Sequence, residues 1–463
     1  MSVNRHPNTQ GVTIKQWRYT ATGGETTLSG TDGFSQSLTY TPGAEEVFVN
    51  GVLLVRGTDY TASTGTTVVL NNALVAGDIA TVSAPSVFNV ANSIPSSTVT
   101  AKGDLLVANG SASLTNLAVG ADGTTLVANS SAGGGVSWTN QFLAGKNKII
   151  NGDFGIWQRG TSFSNPTDNT YTADRFTIYG NGSGWTKTVS QQTFTPGTAP
   201  VTGYESAYFY RFNQSVAGSS ATYSGAYHRV EDVRTFAGQT ATLSMWLKAD
   251  TARTVNFAIN RNYGSGGSGT DYSVVTDATI NVTTSWARYT WTFSMPSVSG
   301  KTIGAGSFVE IGLKFPLNTT QTIDTWGWQI ESGSVATPFT TATGTVQGEL
   351  AACQRYYWRT ANNGGAYQMI GRATAFSGTQ ADLFLSLPVT MRTSYATIDY
   401  NSIALTPYAG TGTIAVTAVT AQTSDGQLSN VRLTVGSGLS AGALYTVLYN
   451  GNSSAYLGLG AEL

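Results

Sequence analysis

Apolar residues in this chain recur at every second position and almost nowhere at the three-to-four-residue spacing of a helix. From Ala241 to Leu247 one face carries Ala241, Leu243, Met245 and Leu247; the other carries Thr242, Ser244, Trp246 and then Lys248. The stretch up to Met295 repeats the pattern with Ala287, Tyr289, Trp291 and Phe293. Val309, Ile311, Leu313 and Phe315 repeat it again, with Glu310 and Lys314 opposite. Such alternation marks strands of antiparallel sheets that bury one face. Only Gly348 to Trp358 could form a helix, and it is short. The expected class is therefore all-β.

Composition agrees. Charged residues are 11% of the 463, against roughly 25% in an average domain. Thr, Ser, Asn and Gly take their place, and these suit strands and turns better than helix interiors. Abundant aromatics and a net charge of -1 exclude intrinsic disorder. The balance of 24 basic and 25 acidic residues argues against nucleic acid as a partner. No apolar run is long enough for membrane insertion as a helix, and the polar Met1 to Gln10 does not read as a secretory signal. The single Cys353 excludes a disulfide framework and a thiolate metal cluster.

Four segments follow in order. Residues 1–90 read as a small β domain, with Asn50-Gly51 between Val47-Phe48-Val49 and Val52-Leu53-Leu54-Val55 as its hairpin signal. Residues 91–145 are rich in small polar residues, and Leu106 to Ala112 returns as Leu126 to Ala132. This segment is either a linker or a shaft in which copies of several chains wrap together. Residues 146–347 hold most of the tryptophans and are long enough for a jelly roll or β-sandwich. Residues 348–463 begin with the candidate helix and continue as a C-terminal β domain.

Several of these stretches resemble tail-fibre proteins of tailed bacteriophages. Val47 to Val82, with Gly57-Thr58-Asp59-Tyr60, is similar to a small β module of such fibres. Lys102 to Ala108 and Val136-Ser137-Trp138 resemble a fibre-shaft repeat. Lys146 to Gly160, with Tyr171 to Phe176, resembles the start of a carbohydrate-binding-module-like jelly roll, and Trp328 to Phe339 its close. Glu349 to Tyr357 and Leu387 to Arg392 resemble the start of a tip domain. The resemblance implies an elongated multi-domain fibre with a trimeric β shaft. It implies a homotrimer docked on a tail or baseplate protein through its N-terminal region, located in the virion. The tip or jelly roll would adsorb the phage to the host by binding a bacterial surface glycan.

Side chains that could do chemistry are few. His6 and His228 are the only histidines, and His228 lies in a strand pattern, where a buried or surface structural histidine is the simpler reading. Cys353 reads as a helix packing residue. No phosphate loop or nucleophile elbow is present. Paired carboxylates could cleave glycans, as in tailspike depolymerases; Asp153, Asp168, Asp174, Glu205, Glu231, Asp232, Asp271, Asp277, Glu310, Asp324 and Glu331 are the acids available. The alternatives to a non-catalytic binder are thus a glycan depolymerase and a purely structural tail connector. By analogy with similar jelly rolls, Asp153, Asp324 and Glu331 are candidates for a structural Ca²⁺, an ion that takes about 6–8 oxygens. No other cofactor is expected. Sugars stack on aromatic rings, and the candidates for glycan contact are Trp185 and Tyr263, read as loop residues, with Tyr367 and Tyr408 in the tip. Trp326 and Trp328 are expected on one strand face.

Overall fold

The computed structural model describes residues 13–86, 96–111, 113–122, 124–140, 145–201, 204–360, 365–394, 397–408 and 410–463. His6 lies outside the described residues. The chain divides into two compact units, Met1–Ala118 and Val119–Leu463.

In the first unit, strands Thr13–Thr20, Ile79–Ser86, Glu46–Val49 and Val52–Leu53 form one antiparallel sheet in that order. Asn50 and Gly51 connect the last two as a two-residue turn, both with positive φ (52° and 82°). That geometry matches strand twist and is why Asn-Gly sits there. Thr27–Ser29, Thr67–Leu70 and Tyr60–Thr61 form a second sheet. Trp17, Leu28, Val47, Tyr60, Val68 and Val82 fill a small core. A hairpin, Leu105–Gly110 with Ser113–Leu117, follows with no buried residue among those described.

The second unit opens with a similar hairpin, Thr124–Ala128 with Val136–Asn140. Two six-stranded sheets come next. The back sheet runs Ser162–Ser164, Ser183–Thr193, Tyr208–Ser219, Gln321–Ser332, Thr240–Ala249, Ala287–Ser294. The front sheet runs Thr170–Tyr171, Phe176–Gly180, Ser224–Glu231, Phe308–Lys314, Arg253–Asn262, Asp271–Val282. Chain neighbours repeatedly fall in opposite sheets, the connectivity of a jelly-roll sandwich. The alternating residues read above close between them: Leu243, Met245 and Leu247 from the back, Val309, Ile311 and Leu313 from the front.

Trp326 and Trp328 do not share a face. Trp246 pairs with Trp326 and Ser244 with Gln329, so one extra residue is inserted on the Gln321–Ser332 strand. Gly327, at φ +67°, absorbs this bulge. Trp328 therefore points into the sandwich, 5.2 Å from the Phe176 ring at 89°, with its indole N–H donating to Thr325 Oγ1 at 2.7 Å. Trp326 belongs to a separate aromatic cluster with Trp246, Phe194, Phe209 and Phe339.

The one helix, Val346–Gln354, starts at Thr345, whose side chain accepts the Gly348 N–H. Cys353 is fully buried in it, and burial pushes its thiol well above the ordinary range. Beyond it lie a three-stranded sheet (Tyr357–Arg359, Tyr456–Gly460, Thr397–Asn401) and a closed six-stranded barrel. The barrel interior is filled by Leu383, Leu405, Val431, Leu433 and Val447. A closed barrel removes the exposed edges that a small open sheet would carry.

Replacing Trp328 by Ala removes a fully buried ring from the sandwich core. The expected loss is about 3–5 kcal/mol of unfolding free energy. Urea denaturation followed by tryptophan fluorescence measures it, and a loss under about 1 kcal/mol contradicts the assigned packing.

Candidate functional site

The outer face of the front sheet is a cleft of about 560 Å³. It is built by the residues that alternate with the core. Ile178, Ala226 and Ile311 point inward; Tyr179, Tyr227, Arg229 and Glu310 point outward. Tyr227 lies beside Gly312 and Ala258 in the sheet register. A Cβ on Gly312 would come within 2.2 Å of the Tyr227 ring, so only glycine lets that ring lie flat on the sheet. Tyr179 meets it edge-on, with centroids 5.0 Å apart at 71°. These rings form the floor.

Tyr223 and Tyr272 stand on the rim, Tyr272 with 78% of its surface exposed. The edge strand Asp271–Val282 is irregular where it pairs with Ile259 to Arg261. Ser273 takes a left-handed φ of 45°, and its N–H bonds to Asn260 Oδ1 at 2.9 Å instead of the ladder. Bulges of this kind re-aim side chains beside functional sites. The exposed Tyr272 hydroxyl makes no hydrogen bond among the described residues.

The ionic groups of the cleft are tied to each other. Glu310 Oε1 accepts from Tyr179 Oη (3.0 Å) and Arg229 Nε (3.2 Å), and its Oε2 accepts from Asn260 Nδ2 (3.0 Å). Lys314 Nζ bonds Asp277 at 2.5 Å. Asp168 accepts from the Gly180 N–H (2.9 Å) and from Tyr223 Oη (3.2 Å). Buried charge is tolerated only when paired and hydrogen-bonded in this way. The result is a trough with aromatic surface, amides and hydroxyls, and no unpaired cation lining it among the described residues. It can offer stacking faces and hydrogen bonds to an uncharged polyol.

The residues singled out from sequence fare differently. Trp185 is in the strand Ser183–Thr193, not a loop; it covers Gly180 and carries Lys187 Nζ 3.9 Å from its ring centre. Tyr263 is fully buried beneath the glycine-rich turn, its hydroxyl donating to Asp271 Oδ2 at 2.7 Å, so neither ring face is open to a sugar. Tyr367 and Tyr408 are 62% and 61% exposed on the C-terminal β domain, where the Arg372 guanidinium sits 4.6 Å from the Tyr408 ring centre. His228 is fully buried, its Nε2 accepting the Ile150 N–H at 3.2 Å, and burial holds it well below the ordinary histidine range. It is a neutral core residue.

The three proposed calcium ligands do not converge. Asp324 is engaged by Arg211 through two bonds, 2.7 and 2.8 Å. Glu331 lies seven residues along the same strand, roughly 20 Å away at about 3.3 Å per residue. It accepts from the Thr337 N–H, from Thr337 Oγ1 and from Gln329 Nε2, and pairs with Lys146 Nζ at 2.9 Å. Asp153 is elsewhere, in a pocket of about 160 Å³ with Tyr204, Thr345 and Glu349. Among the described residues no group of three or more acidic, histidine or cysteine side chains could hold a metal.

That second pocket brings together two carboxylates the sequence left apart. Glu349, in the first helical turn, accepts from the Asn151 N–H (2.7 Å), the Thr343 N–H (2.6 Å) and Thr343 Oγ1 (2.9 Å). Burial first, and then the neighbouring Glu349 charge, push the Asp153 carboxyl up to about 6.

The cleft tyrosines were missed because strand alternation assigns their face to solvent. A signal was nevertheless present. Tyr179, Tyr227 with Arg229, and Glu310 with Gly312 all alternate with core residues, on three strands that are neighbours in the sheet. The corresponding face of the back-sheet strand Ala287–Ser294 carries Arg288, Thr290 and Thr292.

No protein-family model matches the sequence. No curated protein matches it at a significant level. Solved structures do. A CBM4 structure is 18% identical over 40% of this chain and 99% of its own, with a TM-score of 0.26. The family 11 carbohydrate-binding module of a Clostridium thermocellum cellulosomal cellulase is 14% identical over 38% of this chain and 97% of its own, with a TM-score of 0.24. The enzymatically active domain of bacteriophage CBA120 tailspike protein 4 is 14% identical over 41% of this chain and 22% of its own, with a TM-score of 0.27.

Asp153 supplies a pH test. Its folded-state value is raised from 3.8 to about 6, so its neutral form contributes stability that is full below about 3.8 and lost as pH rises through about 6. Asp153→Asn mimics the neutral acid. The variant should match the wild type near pH 4 and exceed it by up to about 3 kcal/mol at pH 7. Denaturant titrations at the two pH values measure this, and an equal difference at both contradicts the assigned burial.

Proposed function

We propose that this chain is a non-catalytic glycan-binding protein of a phage tail fibre, and that the front-sheet cleft takes an uncharged stretch of a host-surface polysaccharide. The supporting observation is the cleft itself: Tyr179 and Tyr227 on the floor, Tyr223 and Tyr272 on the rim, and both lining cations, Arg229 and Lys314, already paired with carboxylates. An acidic sugar would find no free cation there among the described residues. Glu310 has both oxygens committed to three donors and acts as a strut for the cleft floor. In this reading the N-terminal domain docks on a tail or baseplate protein, and the tip completes the distal end.

Purified full-length chain should bind one or more of maltohexaose, cellohexaose, xylohexaose and mannohexaose by isothermal titration calorimetry. It should not bind oligogalacturonate or oligosialate. Tyr272→Ala should weaken binding by at least about tenfold, the value of roughly one stacked ring. Preference for the charged sugars, or unchanged binding in Tyr272→Ala, refutes the assignment of the cleft. Release of new reducing ends from the bound sugar refutes the non-catalytic reading.

The chain in this reading is a homotrimer. Both shaft hairpins are two-stranded and leave Leu105, Leu106, Leu114, Leu126 and Val127 exposed. An isolated two-stranded hairpin is marginal in water, and further copies of the same chain would supply the missing strands. Sedimentation equilibrium at micromolar concentration should give three times the 48.5 kDa chain mass. A monomer mass contradicts it.

A further inference from the structure

Arg229 serves more than the cleft. Its Nε donates to Glu310 at 3.2 Å, and its Nη2 to Asn169 Oδ1 at 3.0 Å and to the Tyr179 hydroxyl. Its Nη1 donates to the Tyr171 hydroxyl at 3.1 Å and to the carbonyl of Leu463. Tyr171 also donates to that carbonyl, at 3.1 Å. One buried guanidinium thus joins the cleft to the last residues of the tip domain.

The segment that presents Leu463 is firmly held. Glu462 pairs with Arg159 at 3.1 Å and with Arg175. Arg392 Nε and Nη2 donate to the Ala461 and Glu462 carbonyls, both at 2.8 Å. Arg175 is itself constrained: it is buried, has a left-handed φ of 72°, lies 3.5 Å from the Tyr356 ring centre and donates to the Arg229 carbonyl at 2.7 Å. Strain of this kind persists only where the surroundings over-determine it.

We propose that Glu462 and Leu463 are positioning residues of the cleft. They fix Arg229, which in turn fixes Glu310 and Tyr179 in the floor, so the cleft reaches its binding geometry only with the tip segment in place. The functional meaning of this inference rests on the glycan-binding reading above. Its structural content does not. A guanidinium has five donors in a rigid fork. When the acceptor on one side leaves, the buried cation re-aims or draws in water, and the bonds on its other side loosen with it.

The experiment compares the full chain with two variants: deletion of Glu462 and Leu463, and Glu462→Gln. Amide hydrogen exchange reads the strands Phe176–Gly180 and Phe308–Lys314, with the barrel strand Leu428–Val435 as internal reference. The deletion should speed exchange in the two cleft strands about tenfold and leave the barrel strand unchanged. It should also weaken the hexasaccharide that binds the wild type by about tenfold, the cost of one charge-assisted bond. Wild-type exchange in the cleft strands of the deletion variant overturns the proposal, whatever the sugars do. If the deletion speeds exchange throughout the tip, Glu462→Gln carries the same decision with the backbone intact. If no hexasaccharide binds the wild type, the glycan reading fails while the exchange result still decides the positioning role.

Discussion

The buried pairing of Arg229 with Glu310 is the constraint around which the second unit is arranged. Both side chains are about nine-tenths buried, on neighbouring strands of the front sheet. A charge removed from water is costly unless its partners are complete. Completeness here needs Tyr179 and Asn260 on flanking strands, Asn169 and Tyr171 before the first of them, and the main-chain oxygen of Leu463 from the C-terminal β domain. The pair therefore fixes the orientation of the cleft floor and the seat of the tip segment together. The same logic repeats at the joint beside it, where the Arg159 and Arg175 guanidiniums lie 3.5 Å from the Tyr357 and Tyr356 ring centres and converge on Glu462. Stacking on a ring face satisfies part of a cation that has left water.

This accounts for where the few charges go. With charged residues at 11%, the chain does not cover its surface with Lys and Glu. Many of those present are partly buried in ion pairs: Arg211 with Asp324, Lys146 with Glu331, Arg432 with Asp382. Thr, Ser and Asn occupy the outer strand faces in their stead. The cleft follows the same rule, since its two cations are spent on carboxylates and leave a surface of rings, amides, hydroxyls and the Asp168 carboxylate.

Much of the fold was legible because alternation and turn chemistry are local. The strands Thr240–Ala249, Ala287–Ser294 and Phe308–Lys314 appear where their apolar period places them, and Asn50-Gly51 makes the tight turn its residue types favour. The all-β class follows from the same period. The site was not legible on the same terms. Period-two reasoning says which face is buried between sheets; it does not say that the other face is concave. Tyr227 needs Gly312 from a strand 85 residues away to lie flat, and only the register brings them together. Tyr263 looked like a loop residue because its glycine-rich neighbours are one, yet the turn folds back over it and buries the ring.

The places where alternation breaks are also informative. Gly327 inserts one residue and sends Trp326 and Trp328 to opposite sides of the back sheet, which lets a single strand serve both the sandwich core and a second aromatic cluster. Ser273 breaks the edge strand and turns Tyr272 outward over the cleft. Arg175 takes a left-handed φ directly before Phe176 opens a front-sheet strand, which frees its side chain for Glu462 and Tyr356 rather than the adjacent Asp174. Each break costs local regularity and is offset by a contact that regular pairing could not make. Two of the three lie on the cleft or on the joint that holds it. In a chain otherwise so consistent, such local conflict is itself evidence of function.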